Sequence, residues 1–334
     1  MPGTSSIVTC FRLCGRTAWL PCGAAIAVWL VAAYLLPVAP ALAEARDAPA
    51  AIDLRPAWEP GQSARYAVWS RRVRQTTMSA HGQSQQVSMT IVTEGEFTWT
   101  TERLEPDGSI TARMTLDWMS LTFENPEGER QVIDSRRGSG DIPPMHQALQ
   151  AMSGAPIRVT VAADGSIQSV AGTDAIRRQI QARPFAPEDR DFIRSATELA
   201  VLVAAPPTAQ PGGNWRTQHA WSHEAGTMHH RVTYTIEGVS EIAGIPVATV
   251  LGESKLELEV DRTQMPADAP PIDIRQTLGT RQSQVMFDLQ RREAVGRNSL
   301  ERTRIEVTIR LPEATLNQRT DETIQSQALR IAEH

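Results

Sequence analysis

The chain predicts a mainly β (α+β) fold: a long curved antiparallel sheet or half-barrel in two parts, with a few central helices. Three observations predict it. Apolar residues alternate with polar ones in run after run, the period of a strand with one buried and one wet face, which is an antiparallel pattern. Turn residues separate these runs, as hairpin connections require. Several runs continue for about 12 or more residues, against a usual ~5–6, so the strands belong to a coiled sheet rather than a flat sandwich.

Residues 1–43 stand apart from that pattern. Arg12 and Arg16 precede a charge-free apolar run over 17–40, and Ala41-Leu42-Ala43 offers small residues at a cleavage site. No acid occurs before Glu44. This is the layout of a secretory signal peptide cleaved after Ala43, and it implies an exported protein, periplasmic or extracellular. The competing reading is an uncleaved anchor, because the apolar run is long enough to cross a bilayer.

All three cysteines, Cys10, Cys14 and Cys22, fall inside this segment. The remaining 291 residues therefore hold no disulfide, zinc-thiolate site or cysteine nucleophile. They carry 31 cations against 38 anions. Such an acidic, mixed surface lacks the basic face that nucleic-acid binding needs. A core must hold the fold together, and the length suffices for one.

Residues 44–61 read as an extended leader that settles onto the fold near Trp58. A β-rich part with central helices follows over 62–205. A second β-rich part over 206–334 packs with it as one globular unit. In the first part, Ile110, Ala112, Met114, Leu116 and Trp118 alternate with Thr111, Arg113, Thr115 and Asp117. After Trp118 the apolar phase moves to Met119, Leu121 and Phe123, the mark of a β-bulge. Later runs are Val232-Tyr234-Ile236, Leu256-Leu258-Val260, Val285-Phe287-Leu289 and Ile305-Val307-Ile309-Leu311.

Turns are expected at Pro106-Asp107-Gly108, Asn125-Pro126-Glu127-Gly128, Ala163-Asp164-Gly165, Ala225-Gly226 and Val295-Gly296. Helical patterns occupy 143–152, 173–182 and 187–203. The last has Pro187 in its first turn, Glu188 and Asp189 at the positive dipole end, and an apolar stripe from Phe192 to Val203. The final segment, 323–331, reads as a strand.

Three segments together resemble an uncharacterised family of exported bacterial proteins. They are the stretch from Val159 to Gly172, Pro211-Gly212-Gly213-Asn214-Trp215, and Val285-Met286-Phe287-Asp288-Leu289 with Val295-Gly296-Arg297. In that family a strand, a glycine turn, a second strand and a short helix precede a Gly-x-x-Trp lead-in to the C-terminal sheet. The resemblance covers residues 55–332 and implies structural motifs with no catalytic residue. In architecture alone, the chain is also similar to the curved-sheet carriers of the periplasm that shelter lipid chains.

The histidines are the one cluster with metal-binding chemistry. With a hairpin turn at Ala225-Gly226, His223 pairs with Met228 and Trp221 with His230. His219 and His223 then stand ~13 Å apart along one strand, and His230 lies diagonal to both, so the easy site has two ligands. Histidines at the rim of a sheet beside a tryptophan are the plainer reading. Gly138-Ser139-Gly140-Asp141 lacks the spacing of a nucleophile elbow, and no glycine-rich phosphate loop is present. The acid pairs Glu94/Glu96, Glu257/Glu259 and Asp189/Asp191 read as solvated neighbours.

No catalytic residue and no cofactor is assigned. The apolar faces carry Met89, Trp99, Met114, Trp118, Met119, Trp221, Met228 and Met286, and methionine suits surfaces that adapt to varied apolar partners. The expectation is an exported, non-catalytic envelope protein that binds a lipid or apolar small molecule on a curved sheet. Met114, Leu116, Trp118 and Trp221 are its expected contacts. One alternative is a structural envelope protein with a protein partner. The other is a metal-assisted hydrolase built on His219, His223 and His230.

Overall fold

A computed structural model of the chain describes residues 51–137, 144–163, 167–172, 209–223, 226–260, 271–311 and 313–331. The chain divides into two compact units, Met1–Ala48 and Pro49–His334, and the described residues all belong to the second. The segment 1–43 and the helices expected over 173–182 and 187–203 lie outside them.

The strands are β1 (Ser63–Ala80), β2 (Gln83–Leu104), β3 (Ile110–Glu124), β4 (Arg130–Asp134), β5 (Pro156–Val161) and β6 (Ile167–Ala171), then β7 (Asn214–His223), β8 (Gly226–Ile242), β9 (Ile245–Val260), β10 (Ile272–Asp288), β11 (Glu293–Arg310) and β12 (Thr315–Ile331). All belong to one sheet in the order β6-β5-β3-β2-β1-β12-β11-β10-β9-β8-β7, with β4 beside β3. The sheet is antiparallel, curved and open. Pairing of β1 with β12 joins the first strand to the last and makes the two β-rich parts continuous. The final segment is the end of the strand Thr315–Ile331.

Of the three helices expected, one falls within the described residues. Among the described residues the single α-helix is α1 (Pro144–Met152), at the first predicted position. Proline at its first position costs nothing, because that N–H has no partner inside a helix. Gly154, at a φ of 78°, ends it, and the Gly154 N–H donates to the Leu116 carbonyl at 2.8 Å. Leu149 and Met152 turn inward against the sheet.

Length comes from tight hairpins. β1 and β2 are joined by His81-Gly82, and β8 and β9 by Ala243-Gly244, all four with positive φ. Two left-handed residues in sequence match the right-handed twist of the flanking strands, so both ladders run to the turn. The turn expected at Val295-Gly296 is instead inside β11, and the chain reverses at residues 289–292. There Gly296 serves packing, since any Cβ on it would meet the Met286 methyl group.

Two apolar clusters share one face, called the inner face here. The first holds Tyr66, Phe97, Trp99, Met114, Leu116 and Met119 with α1. The second holds Val232, Tyr234, Ile236, Val250, Val285 and Phe287. Residues 52–58 run from the second cluster to the first as a strap, inserting Ile52 and Leu54 into one and Trp58 into the other. Trp58 meets Trp99 with ring centroids 6.4 Å apart. Each fully buried large apolar side chain contributes roughly 1.5–3 kcal/mol, so the strap's three residues are part of the core.

Candidate functional site

The four apolar contacts expected from sequence do not come together. Met114 and Leu116 are fully buried in the first cluster, beneath neighbouring side chains. Trp118 is on the opposite face. Phe97 pairs with Leu116 but Glu96 pairs with Trp118, so Asp117 is the extra residue of a bulge. The phase change therefore falls one residue before Trp118. In a bulge, two consecutive residues oppose one partner and alternation fails there. Asp117 accepts from Thr98 Oγ1 at 2.9 Å, and the Arg136 guanidinium stacks 3.9 Å over the Trp118 ring. Met286 also faces away from Val285 and Phe287, which are both in the second cluster. Trp221 pairs with Met228.

The histidine hairpin pairs closer to its tip than expected. His223 is opposite Gly226 and Trp221 opposite Met228, which sets His219 directly across from His230. His229, on the other face, bonds Glu259 at 2.8 Å. Among the described residues no group of three His, Cys, Asp or Glu is placed to hold a metal ion. The Gly138–Asp141 motif lies outside them.

Register carries the inner face well beyond the two clusters. Above them, Thr93, Ser70, Ser326, Ser299, Ser283 and Gly252 form one transverse row over six strands. Ser299 Oγ and Ser326 Oγ share a hydrogen bond of 2.6 Å. The next row carries Arg72, Ile324, Glu301 and Arg281. Arg74 and Glu322 follow, with Arg74 Nε 3.1 Å and Arg72 Nε 3.7 Å from Glu322 Oε1. Arg297 lies in the row below the serines, between Ala328 and Val285. The middle of the inner face is thus a polar girdle.

Beyond the girdle, β10 and β11 carry an aliphatic strip on the inner face, flanked by Gln276, Thr320 and Gln318. Ile272 pairs with Ile309, Ile274 with Val307, and Leu316 with Ile309, while Ile305 stands one row lower. All six are half-buried. The same strands present Asp273, Arg275, Arg304, Glu306, Arg319 and Asp321 on the other face. There Arg304 and Arg319 both bond Asp321, at 2.5 and 2.8 Å. The contrast follows from strand period alone, because successive side chains point to opposite faces.

A buried charge lies at the opposite end. Glu293 is 2% exposed, pairs with Arg330, and has its Oε2 without a hydrogen-bond partner among the described residues. Burial pushes its carboxyl above the usual carboxylate range, against the pull of Arg330 and Arg291. Tyr66, beside it, has its hydroxyl pushed up by burial and by the Glu293 charge, and donates to the Ala294 carbonyl at 3.4 Å. Sequence reasoning missed both the girdle and this pair, since their members are brought together from strands far apart in the chain.

Fold and site define a mainly β protein whose sheet has one two-faced, aliphatic end. Residues 107–196 match the model of a family of unknown function (DUF6263), so the expected likeness to an uncharacterised family is found. Comparison with curated proteins gives no match. OccK2 (OpdF) of Pseudomonas aeruginosa aligns over 81% of this chain and 100% of its own, with 10% identity and a TM-score of 0.23. OccK7 (OpdD) of the same organism aligns over the same shares with 9% identity and a TM-score of 0.23. A DUF1329 family protein from Desulfovibrio piger aligns over 77% of this chain and 83% of its own, with 8% identity and a TM-score of 0.14. Scores this low carry no argument about function.

Proposed function

We propose that this is an exported, non-catalytic protein of the cell envelope whose inner sheet face shelters a lipid chain or other apolar ligand. One observation carries the reading: the aliphatic end of β10, β11 and β12 extends past both filled clusters, with charged residues behind it. An antiparallel sheet keeps one face apolar where something covers it. Contacts belong on Ile274, Ile305 and Val307, because Met114 and Leu116 are enclosed and Trp118 faces outward. Burying ~300 Å² of ligand surface contributes on the order of 7 kcal/mol before ordering costs.

Native mass spectrometry of protein taken from its own envelope, with organic extraction, tests this. A co-purifying lipid and a saturable apolar probe whose binding Val307→Asp weakens are expected. Ligand-free protein with no saturable binding sinks the carrier reading. N-terminal sequencing tests export: a mature start near Glu44 is expected, and an intact Met1 in the membrane fraction overturns cleavage.

The open sheet edges favour a second reading, a protein partner. Among the described residues β6 and β7 end the sheet, and a sheet edge is a ready template for an added strand. A pull-down from envelope extracts, lost when β7 carries a proline, separates this from the carrier.

A further inference from the structure

We propose that the sheltered ligand is an anionic amphiphile, its acyl chain on the aliphatic end of β10–β12 and its acidic head on the girdle arginines. This rests on the carrier reading and adds the charge of the ligand. The warrant is charge complementarity on one face. Arg72, Arg74 and Arg281 stand on the inner face between the filled clusters and the aliphatic end, against two carboxylates, Glu301 and Glu322, while Arg297 lies one row below the serines, between Ala328 and Val285 of the two clusters. The chain as a whole has a net charge of −5, so a cationic girdle runs against its overall balance.

The arginines are the right chemistry for this role. A guanidinium binds carboxylate or phosphate with paired N–H donors and is more weakly hydrated than an ammonium, so it suits a half-buried site. Among the described residues Arg72 and Arg74 both reach one carboxylate, Glu322, which holds two guanidinium groups side by side. Arg281, Arg297 and Glu301 each hold an interaction with a neighbour, so the head group joins a charged network already in place.

Dimensions agree. Ile324, in the Arg72 row, and Leu316, at the far end, are eight residues apart on β12, a span of ~26 Å at ~3.3 Å per residue. One leaflet of a bilayer core is about 15 Å deep, so an acyl chain fits between the girdle and the sheet end. An uncharged hydrocarbon would use the aliphatic end and make no contact with the girdle arginines.

The test compares cis-parinaric acid with its methyl ester, the same chain with and without charge, by fluorescence titration of the mature protein at pH 8. The acid is expected to bind about ten-fold more tightly than the ester, with an advantage that shrinks as salt rises. In Arg72→Gln/Arg281→Gln the acid should lose that advantage while the ester binds as before, which also shows that the variant is folded. Equal affinity of acid and ester for the unmodified protein overturns the anionic head group and leaves the carrier reading standing. Saturable binding of neither probe overturns both.

Discussion

A Cβ placed on Gly95 would stand 2.7 Å from the carbonyl oxygen of Trp118, across the bulge from it. Gly95 pairs with Met119, the first residue whose side chain returns to the inner face. The glycine therefore admits the bulged backbone, and the bulge decides which way Trp118 points. Gly95→Ala has backbone rather than a flexible side chain to displace. It should cost about 1–3 kcal/mol of stability, measured by urea denaturation.

The two tryptophans around that bulge should behave differently. Trp99 is fully buried at the centre of the first cluster, and Trp99→Ala should cost about 3–5 kcal/mol. Trp118 packs under Arg136 on the outer face, where such a stack contributes roughly 0.5–1 kcal/mol. Trp118→Ala should be the milder variant and should leave apolar probe binding unchanged. A fluorescence titration showing loss of binding would return Trp118 to the site.

The strap should be a structural part of the fold. Leu54 is 0% exposed, and Leu54→Ala should cost about 2–5 kcal/mol. Its anchor is Asp53, which takes two bonds from the Arg55 side chain and lies 3.2 Å from Arg292 Nη2. The Arg55 hydrogen bonds hold the Asp53 carboxyl at about 2, below its usual value. A depressed carboxylate contributes stability above its unfolded pKa of ~3.9 and loses it as pH falls toward the folded value. Limited proteolysis near residue 50 should accelerate between about pH 4 and 2, and Asp53→Asn should cleave at the acid rate at pH 7.

Glu293 should act with the opposite sign. Burial raises its carboxyl, so the folded state holds the proton more tightly than the unfolded one. Its contribution is full below the unfolded value of ~4.3 and is lost as pH rises through the folded value. Glu293→Gln keeps a partner for Arg330 without the charge. Thermal melts at stepped pH should lose this alkaline-going decline in the variant, and an unchanged slope would mean that another group carries it.

Much of the sheet was legible because strand period is local. Ile305, Val307 and Ile309 alternate in the sequence and in the structure, and the apolar phase change by itself marks a bulge in β3. Which residue was extra was not legible, since Asp117 and Trp118 differ only in what stands opposite them. The turn placed at Val295-Gly296 failed for a related reason. A glycine permits a reversal and also permits a methyl group to lie against the strand, and the cross-strand Met286 selects the second use.

The sequence by itself determined the strand class, the alternation that gives each strand two faces, and the apolar character of the ends of β10 and β11. Those follow from side chains a few residues apart, which the backbone period relates directly. Only the tertiary structure decided that Ser70, Ser283, Ser299 and Ser326 share one row, that Arg72, Arg281 and Arg297 border it, and that Leu54 lies deep in the second cluster. Each of these depends on register between segments up to about 250 residues apart. Register is set by the summed fit of whole strands, so no single stretch of sequence contains it.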